Sequence, residues 1–191
     1  INKKTMFLLL LTVLQSLFSN VEQKTLESEF TMTQSQVSAT STQTPMTYAG
    51  NLKMRGNCFI LSMLSMDAAY DGTTLYVYNE DAEELTLSKP TDQELTETNP
   101  ILFAKALLPV CSYAEKVVGD KTQITLTPNV QTSGIKKFIL RVTTTTLLPV
   151  SIEIHETSGA ITTIRLNNAK YTQEKPSFQI VKQGVFVNDL R

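Results

Sequence analysis

Few side chains in this chain could act as acids, bases or nucleophiles, and their spacing matches no catalytic site. His155 is the single histidine, and it lies with Glu153 on the polar side of an alternating segment, which is typical of a surface position. Four carboxylates crowd one predicted turn and could in principle form an acid and base pair, but a solvated turn is the simpler interpretation: Glu80, Asp81, Glu83 and Glu84. The sequence has no phosphate-binding glycine-rich loop and no nucleophile elbow. We therefore expect a protein that is not an enzyme.

Two cysteines are the other reactive groups. Cys58 and Cys111 could form a disulfide in an oxidising compartment. Their separation carries no signature, however, and buried small apolar residues are the favoured interpretation. Two thiols and one histidine do not make a recognisable metal site. We predict neither a metal nor a cofactor.

Arg55 is the polar residue with the most unusual surroundings. Residues 53–63 read as one strand with Arg55 and Phe59 on one side and Met54 and Ile60 on the other. Both sides are largely apolar, so we expect this strand to be covered on both faces. A guanidinium with five donors is costly to leave unpaired, and helix carbonyls could accept from it. A surface arginine at the start of the strand is the alternative.

Alternating apolar and polar residues predict the elements that position these side chains. Phe138, Leu140 and Val142 share one side of a strand, and Lys137 and Arg141 point the other way. Turn residues separate such runs, at Asp71–Gly72, residues 79–84, Gly119–Asp120, Ser133–Gly134 and Ser158–Gly159. The pattern predicts a mainly β chain, with a continuous antiparallel sheet that is apolar on one face.

The period changes between Pro90 and Pro109. Thr91 and Glu94 have the spacing of a capping box for a short helix through about Glu97. Asn99 followed by Pro100 then starts a second helix, and residues 101–108 carry a single charge, so most of this helix must be covered. It is either an ordinary core helix or a helix that closes the mouth of a curved sheet.

The first twenty residues differ from the rest of the chain. Lys3 and Lys4 precede an apolar run over residues 6–14, which small and polar residues follow, as in a secretory signal. The run is shorter than the roughly 20 residues that span a bilayer, and no cysteine follows it as a lipid anchor would require. We predict a signal peptide at residues 1–19 and one soluble exported domain at residues 20–191.

Size and composition narrow the function classes. The chain has 191 residues, enough for one domain with a core. It carries 17 basic and 18 acidic residues without a basic cluster, which argues against nucleic acid as a partner. The absence of Trp and the 7% aromatic content favour an interior that leaves space over a filled core.

Several segments together resemble the bacterial periplasmic lipoprotein carriers of the LolA family. They are residues 50–59 with Arg55 and Phe59, the run Asp71-Gly72-Thr73-Thr74-Leu75-Tyr76-Val77-Tyr78-Asn79, the Leu126-Thr127-Pro128 run, the final residues 187–191, and residues 88–100. The chain departs from the family at Gly56, Leu61 and Tyr76. It also departs at the amphipathic helix that precedes the first strand in the family, which we expect to be largely absent because the predicted signal runs almost directly into residues 22–30.

The resemblance implies an incomplete antiparallel β-barrel closed by a helical lid, with Arg55 as the residue that latches the lid by hydrogen bonds to the backbone carbonyls of residues 99–108. It further implies a periplasmic carrier that receives acylated lipoproteins from an inner-membrane release complex and delivers them to an outer-membrane acceptor. We expect a monomer. Candidate residues for the hydrophobic cargo cavity are Phe59, Leu61, Met63, Leu102, Phe103, Leu107, Phe138, Leu140 and Ile152.

Two alternatives remain open at this point. The same fold could carry another hydrophobic or lipid cargo, since a pocket for acyl chains does not specify the head group. A non-catalytic structural or adhesive exported β-protein would use the same apolar face as a filled core.

Overall fold

The structure, a computed structural model, describes residues 3–38, 41–42, 45–130 and 134–191, with residues 3–12, 36–38 and 41–42 described by their backbone alone. The helices are α1 (Lys3–Gln23), α2 (Asp92–Thr98) and α3 (Pro100–Leu107), and a 3-10 turn (Leu108–Val110) follows α3. The strands are β1 (Thr25–Ser38), β2 (Ser41–Thr42), β3 (Met46–Arg55), β4 (Cys58–Met63), β5 (Met66–Tyr70), β6 (Leu75–Asn79), β7 (Glu84–Ser88), β8 (Cys111–Val118), β9 (Lys121–Pro128), β10 (Ile135–Thr143), β11 (Pro149–Glu156), β12 (Ala160–Thr172) and β13 (Phe186–Asp189).

Twelve of the strands form one curved sheet in the order β13-β7-β6-β5-β4-β3-β1-β12-β11-β10-β9-β8, and β2 pairs with the far end of β1. Neighbouring strands are antiparallel except that β13 runs parallel to β7. The end strands β8 and β13 each have one neighbour among the described residues, so the sheet does not close on itself. The predicted mainly β fold, an incomplete antiparallel barrel, is confirmed.

One face of the sheet, called the inner face below, carries the core. Alternate residues of neighbouring strands meet there, as the pairing of Phe138 with Leu126 and Ile154 illustrates. These side chains join those of the three helices in one buried cluster, in which Phe59 and Phe138 are fully buried. The period-2 pattern of the strands therefore predicted the correct face.

The turns and the two short helices follow local chemistry. Asp71 Oδ1 accepts hydrogen bonds from the backbone N–H of Thr73 at 2.9 Å and of Thr74 at 2.8 Å, and Gly72 has a φ of 100°. Thr91 and Glu94 form the predicted capping box of α2. Asn99 caps α3, with Oδ1 2.9 Å from the Ile101 nitrogen. Ser133 of the predicted Ser133–Gly134 turn lies outside the described residues.

The predicted single strand over residues 53–63 is wrong. Gly56 has a φ of 59°, so Gly56 and Asn57 form a two-residue turn, and Arg55 pairs with Cys58 across the resulting β3–β4 hairpin. Met54 then pairs with Phe59 on the inner face. Arg55 and Phe59 consequently lie on opposite faces of the sheet and not on one.

The outer face of β4–β7 is covered by the segment between β12 and β13. A second buried cluster forms there from Ala69, Tyr76, Leu85 and Leu87, against which Ile60, Ile180 and Val185 pack. Asp71 Oδ2 holds this segment by accepting from the Gln179 side chain at 3.2 Å and from the Tyr76 hydroxyl at 3.0 Å. Burial raises the pKa of Asp71, but the hydrogen bonds from the Thr74 and Thr73 backbone, and to a smaller extent those from Tyr76 and Gln179, lower it, and the net shift is downward. The sequence predicts that residues 53–63 are covered on both faces, and this is confirmed around Phe59 and Ile60, whereas Asn57 in the turn is exposed.

Candidate functional site

The structure brings the nine candidate cavity residues together on the inner face. Six are buried in the core cluster, and three are partly buried and packed against it: Phe59, Leu102, Leu107, Phe138, Leu140 and Ile152 in the first group, and Leu61, Met63 and Phe103 in the second. Phe103 of α3 meets Phe138 of β10 edge to face, with ring centroids 5.9 Å apart. Helix α3 therefore lies directly on the sheet at this point.

Helix α1 fills much of the remaining interior. Leu14, Leu17 and Val21 recur at helical spacing and are 1%, 0% and 3% exposed. A cleft of only about 10 Å³ lies between α1, α3 and the β3–β4 hairpin, far smaller than the roughly 300–1,000 Å³ of ordinary ligand pockets. Its lining includes Phe18, Val21, Met54, Ile101 and Leu102. In this structure the inner face is closed.

The expectation that the helix before the first strand would be largely absent is wrong. Residues 13–23 form the last part of α1 and pack on the inner face. The sequence carried a signal for it, because Leu14, Leu17 and Val21 form an apolar stripe at i, i+3 and i+7. That stripe overlaps the predicted signal. The same residues were therefore interpreted as a signal peptide and not as a helix of the fold. The boundary at residue 19 stays a prediction.

The β3–β4 hairpin caps the C-terminal end of α1. The last carbonyls of a helix lack intrahelical donors and need other partners. Gly56 donates its N–H to the Val21 carbonyl at 2.8 Å, and the Arg55 guanidinium donates to the carbonyl of Gln23. Arg55 also reaches the carbonyl of Glu174, at 3.4 Å. The hairpin thus holds α1 through hydrogen bonds to backbone carbonyls of the helix.

The hydrogen bonds of Arg55 therefore go to α1 and to Glu174, not to residues 99–108 as expected. The reason is the alternation of side chains along β3, which places neighbouring residues on opposite faces of the sheet. Met54 faces inward and receives the contact from the second helical segment, with Asn99 Nδ2 3.9 Å from its sulfur. Arg55 is the next residue along the strand, so its side chain lies on the other face and contacts the end of α1 instead. That Arg55 acts as a latch stays a prediction, and the element that it is predicted to hold is now α1.

An ion pair joins α1 to α3 across the cleft. Lys105 Nζ lies 2.9 Å from Glu22 Oε1 and 3.5 Å from Asn57 Oδ1. Both charged side chains are about half exposed, at 45% and 52%, so the pair contributes at most about 1 kcal/mol. Helix α1 is held by its apolar stripe and by a few polar contacts at its end.

Arg55→Leu is expected to speed amide exchange at the end of α1. The change removes the donor to the Gln23 carbonyl, and hydrogen bonds to charged groups contribute about 1.5–3 kcal/mol each. The amide of Lys24, bonded to the Asn20 carbonyl at 2.8 Å, should exchange at least about tenfold faster, while the α3 amides keep their rates. Equal exchange at Lys24 in the two proteins would show that Arg55 does not hold α1.

The other polar residues singled out in the sequence lie away from the cleft. His155 pairs with Glu153 at 3.2 Å on the outer face, beside Arg141. Cys58 and Cys111 are free thiols whose pKa is raised by burial. Within the described ranges, no three His, Cys, Asp or Glu side chains gather as metal ligands would. Among the same residues, no helix is long and apolar enough to cross a membrane.

The fold is a curved, unclosed β-sheet with helices packed over its apolar face. A family model described as outer membrane lipoprotein carrier protein LolA matches residues 64–180. This is more than half of the chain, and the chain belongs to the LolA family. None of the curated proteins matches it.

Several solved structures resemble most of the chain. An uncharacterised conserved protein of Thermus thermophilus has a TM-score of 0.60 and 9% identity over 92% of this chain and 98% of that one. Pseudomonas aeruginosa MucB, solved with MucA, has a TM-score of 0.51 and 14% identity over 89% of this chain and 60% of that one. A LolA superfamily protein of Nitrosomonas europaea has a TM-score of 0.44 and 11% identity over 87% and 97%. At these identities the likeness to the Thermus and Pseudomonas proteins shows the fold alone.

Proposed function

We propose that this protein is a periplasmic carrier without enzymatic activity, which binds the acyl chains of lipoproteins on its inner face and ferries them from the inner to the outer membrane. One observation carries the proposal. The inner face is an apolar surface formed by strands across the curved sheet. Helix α1 covers part of this surface and is attached to the rest of the protein by few polar contacts. Family membership supports the same proposal.

In this proposal α1 occupies the place of the cargo in the empty carrier. Leu14, Leu17 and Val21 cover the inner face when no acyl chain is present, so the empty protein does not expose a large apolar patch. Cargo displaces α1, and the apolar area that α1 buried is buried again by the acyl chain. The observed affinity is then the intrinsic affinity reduced by the small open fraction.

The partners follow from the same proposal. Cargo is an acylated lipoprotein, supplied by a release complex of the inner membrane and accepted at the outer membrane. A protein partner is supported in a general way by MucB, a fold relative that has been solved with MucA. Export by the apolar segment at the amino end would bring the chain to the periplasm. The cover by α1 requires that the mature chain keep Leu14 and Leu17, so in this proposal the cleavage falls before residue 14 and not after residue 19.

A structural β-protein is the second candidate, and the packed interior favours it. Such a protein would keep α1 in place and bind no apolar ligand. The two candidates differ in one measurable property, the exchange of α1 for an apolar chain on the inner face.

A fluorescent apolar probe tests this difference. We expect the probe to bind, and an acylated peptide to displace it at concentrations at which the same peptide without its acyl group has no effect, because the methylene groups supply the binding energy. Protein unfolded in denaturant is the control for non-specific probe binding. Equal displacement by both peptides, or no probe binding to the folded protein, would favour the structural candidate.

A further inference from the structure

The rim of the inner face beside the β4–β5 turn is apolar and open to solvent. Met63 pairs with Gly50 of β3 on one side and with Met66 of β5 on the other. Met66 is 42% exposed, whereas Phe59 at the other end of β4 joins the helices in the buried cluster. The helices therefore cover the middle of the inner face and leave this rim uncovered.

Methionine supplies most of this surface. Four of the six methionines of the chain lie on it together with one leucine of the β4–β5 turn, and these five residues are called the methionine rim below: Met32, Met46, Met63, Met66 and Leu64. Tyr48 joins its two halves, since it pairs with Met32 and donates its hydroxyl to the Met46 sulfur at 3.2 Å. Met46 is 59% and Leu64 is 72% exposed. Exposed apolar residues gathered in this way mark interaction sites, and flexible thioether side chains adapt to the shape of a partner.

Four carboxylates border the methionine rim on one side. They lie in and beside the β6–β7 turn: Glu80, Asp81, Glu83 and Glu84. The Glu80 N–H donates to the Ser65 carbonyl of the β4–β5 turn at 2.8 Å, and Asn79 pairs with both Met66 and Glu84. None of the four carboxylates forms an ion pair within the part of the chain that the structure describes. The apolar surface thus has an uncompensated negative border.

The curvature of the sheet indicates the shape of the occupant. The inner face is the concave side, on which the chain packs its own helices, and α1 does so through the stripe of Leu14, Leu17 and Val21. Another helix with apolar residues at the same spacing fits the adjoining rim of that face, and helices of this kind are usual ligands of methionine-rich surfaces.

The negative border decides between the possible occupants. It attracts cationic side chains and repels the phosphates of an anionic lipid surface. A two-fold pair of this chain would place two such borders around one contact, where like charges are unfavourable. An acyl chain has no charge that could use the border. Charge complementarity therefore favours a basic helix of another protein.

We propose that the methionine rim is a docking site for a basic amphipathic helix of a partner protein. The apolar side of the helix covers Met46, Leu64 and Met66, and Lys or Arg residues along one flank pair with the carboxylates of the β6–β7 turn. This interaction goes beyond the binding of acyl chains, and it does not require α1 to move.

Two capped peptides of equal composition test the proposal with the full chain. LKKLLKLLKKLLKL forms a helix with one apolar side, and LKLKLKLKLKLKLL has the alternation of a strand. The helical peptide should bind at least about tenfold more tightly in fluorescence anisotropy, and its affinity should fall as the salt concentration rises. An acylated peptide should not displace it.

Neutral substitutions in the border test the role of its charges. Glu80→Gln with Asp81→Asn should weaken the helical peptide by about tenfold, because two attractions to its lysines are lost. The matched control is Asp92→Asn with Glu97→Gln, which removes two charges from exposed positions of α2. The control should leave the affinity unchanged. Equal affinities of the two double variants would overturn the role of the border.

The double variant Leu64→Ser with Met66→Ser tests the apolar part of the site. It should also weaken the helical peptide at least about tenfold, because both side chains are covered in the complex. Unchanged binding to this variant, or equal affinity of the two peptides for the wild type, would overturn the proposal.

Other occupants would show themselves in the same experiments. Displacement of the helical peptide by the acylated one would place it on the cargo-binding surface. Binding of the chain to vesicles of phosphatidylcholine and phosphatidylglycerol, if Leu64→Ser with Met66→Ser abolishes it, would assign the rim to lipid. A concentration-dependent dimer that this variant abolishes would assign it to a second copy. Acyl-chain binding is measured separately with the apolar probe, so a failure at the rim leaves the carrier proposal unaffected.

Discussion

Each methylene added to the acyl chain of a bound ligand is expected to strengthen binding about fourfold. Burial of one CH₂ contributes about 0.8 kcal/mol, and every 1.4 kcal/mol is a factor of ten in affinity. Four added methylenes should therefore lower the dissociation constant by about 200-fold, measured by titration calorimetry or by displacement of the apolar probe.

The displacement of α1 lowers all these affinities by the same factor, because the opening cost does not depend on the ligand. The slope against chain length is therefore the informative quantity, and it should flatten once the chain outgrows the inner face. Peptides without an acyl chain but of equal charge are the control. An affinity that does not rise with chain length would show that no apolar cavity opens.

Leu17→Ala is expected to lower the free energy of unfolding by about 2–5 kcal/mol. Leu17 is 0% exposed and lies between Leu14 and Val21 in the stripe that packs on the sheet. The change removes buried methyl groups and leaves a cavity. Gln15→Ala, on the exposed side of the same helix, is the matched control and should change stability by less than about 0.5 kcal/mol.

Truncated chains extend this prediction to the boundary of the predicted signal. A chain that begins at Asn20 lacks Leu14 and Leu17, whereas a chain that begins at Val13 keeps the stripe. The shorter chain should unfold at a lower denaturant concentration than the longer one. Equal midpoints, together with an unchanged stability of Leu17→Ala, would show that α1 does not belong to the folded core.

Local patterns predicted the parts of the fold that depend on neighbouring residues. The alternation in β10 and β11 indicated which side chains face inward, and Thr91, Glu94 and Asn99 marked both short helices. These signals are reliable because a strand period or a helix cap is set within a few residues. The apolar character of the inner face followed from the same alternation.

Three features could not be predicted in this way, each for a different physical reason. The stripe of α1 was hidden because a secretory signal and an apolar helix share the same composition. The β3–β4 turn was missed because Gly56 and Asn57 interrupt a run that is apolar on both sides. The segment that covers the outer face depends on contacts such as Gln179 with Asp71, which are distant in sequence. Arg55 was identified, but its partners depend on the phase that this turn sets.

Native mass spectrometry of the protein purified from its own cells without detergent tests the carrier proposal most directly. We expect a population whose mass exceeds that of the mature chain by one acylated molecule, which organic extraction removes and which carries the acyl chains of a lipoprotein. The same spectrum recorded for Arg55→Leu should show whether the hold on α1 changes the loaded fraction. A single mass equal to the bare chain before and after extraction, in protein that also fails to take up added acylated peptide, would contradict the carrier proposal.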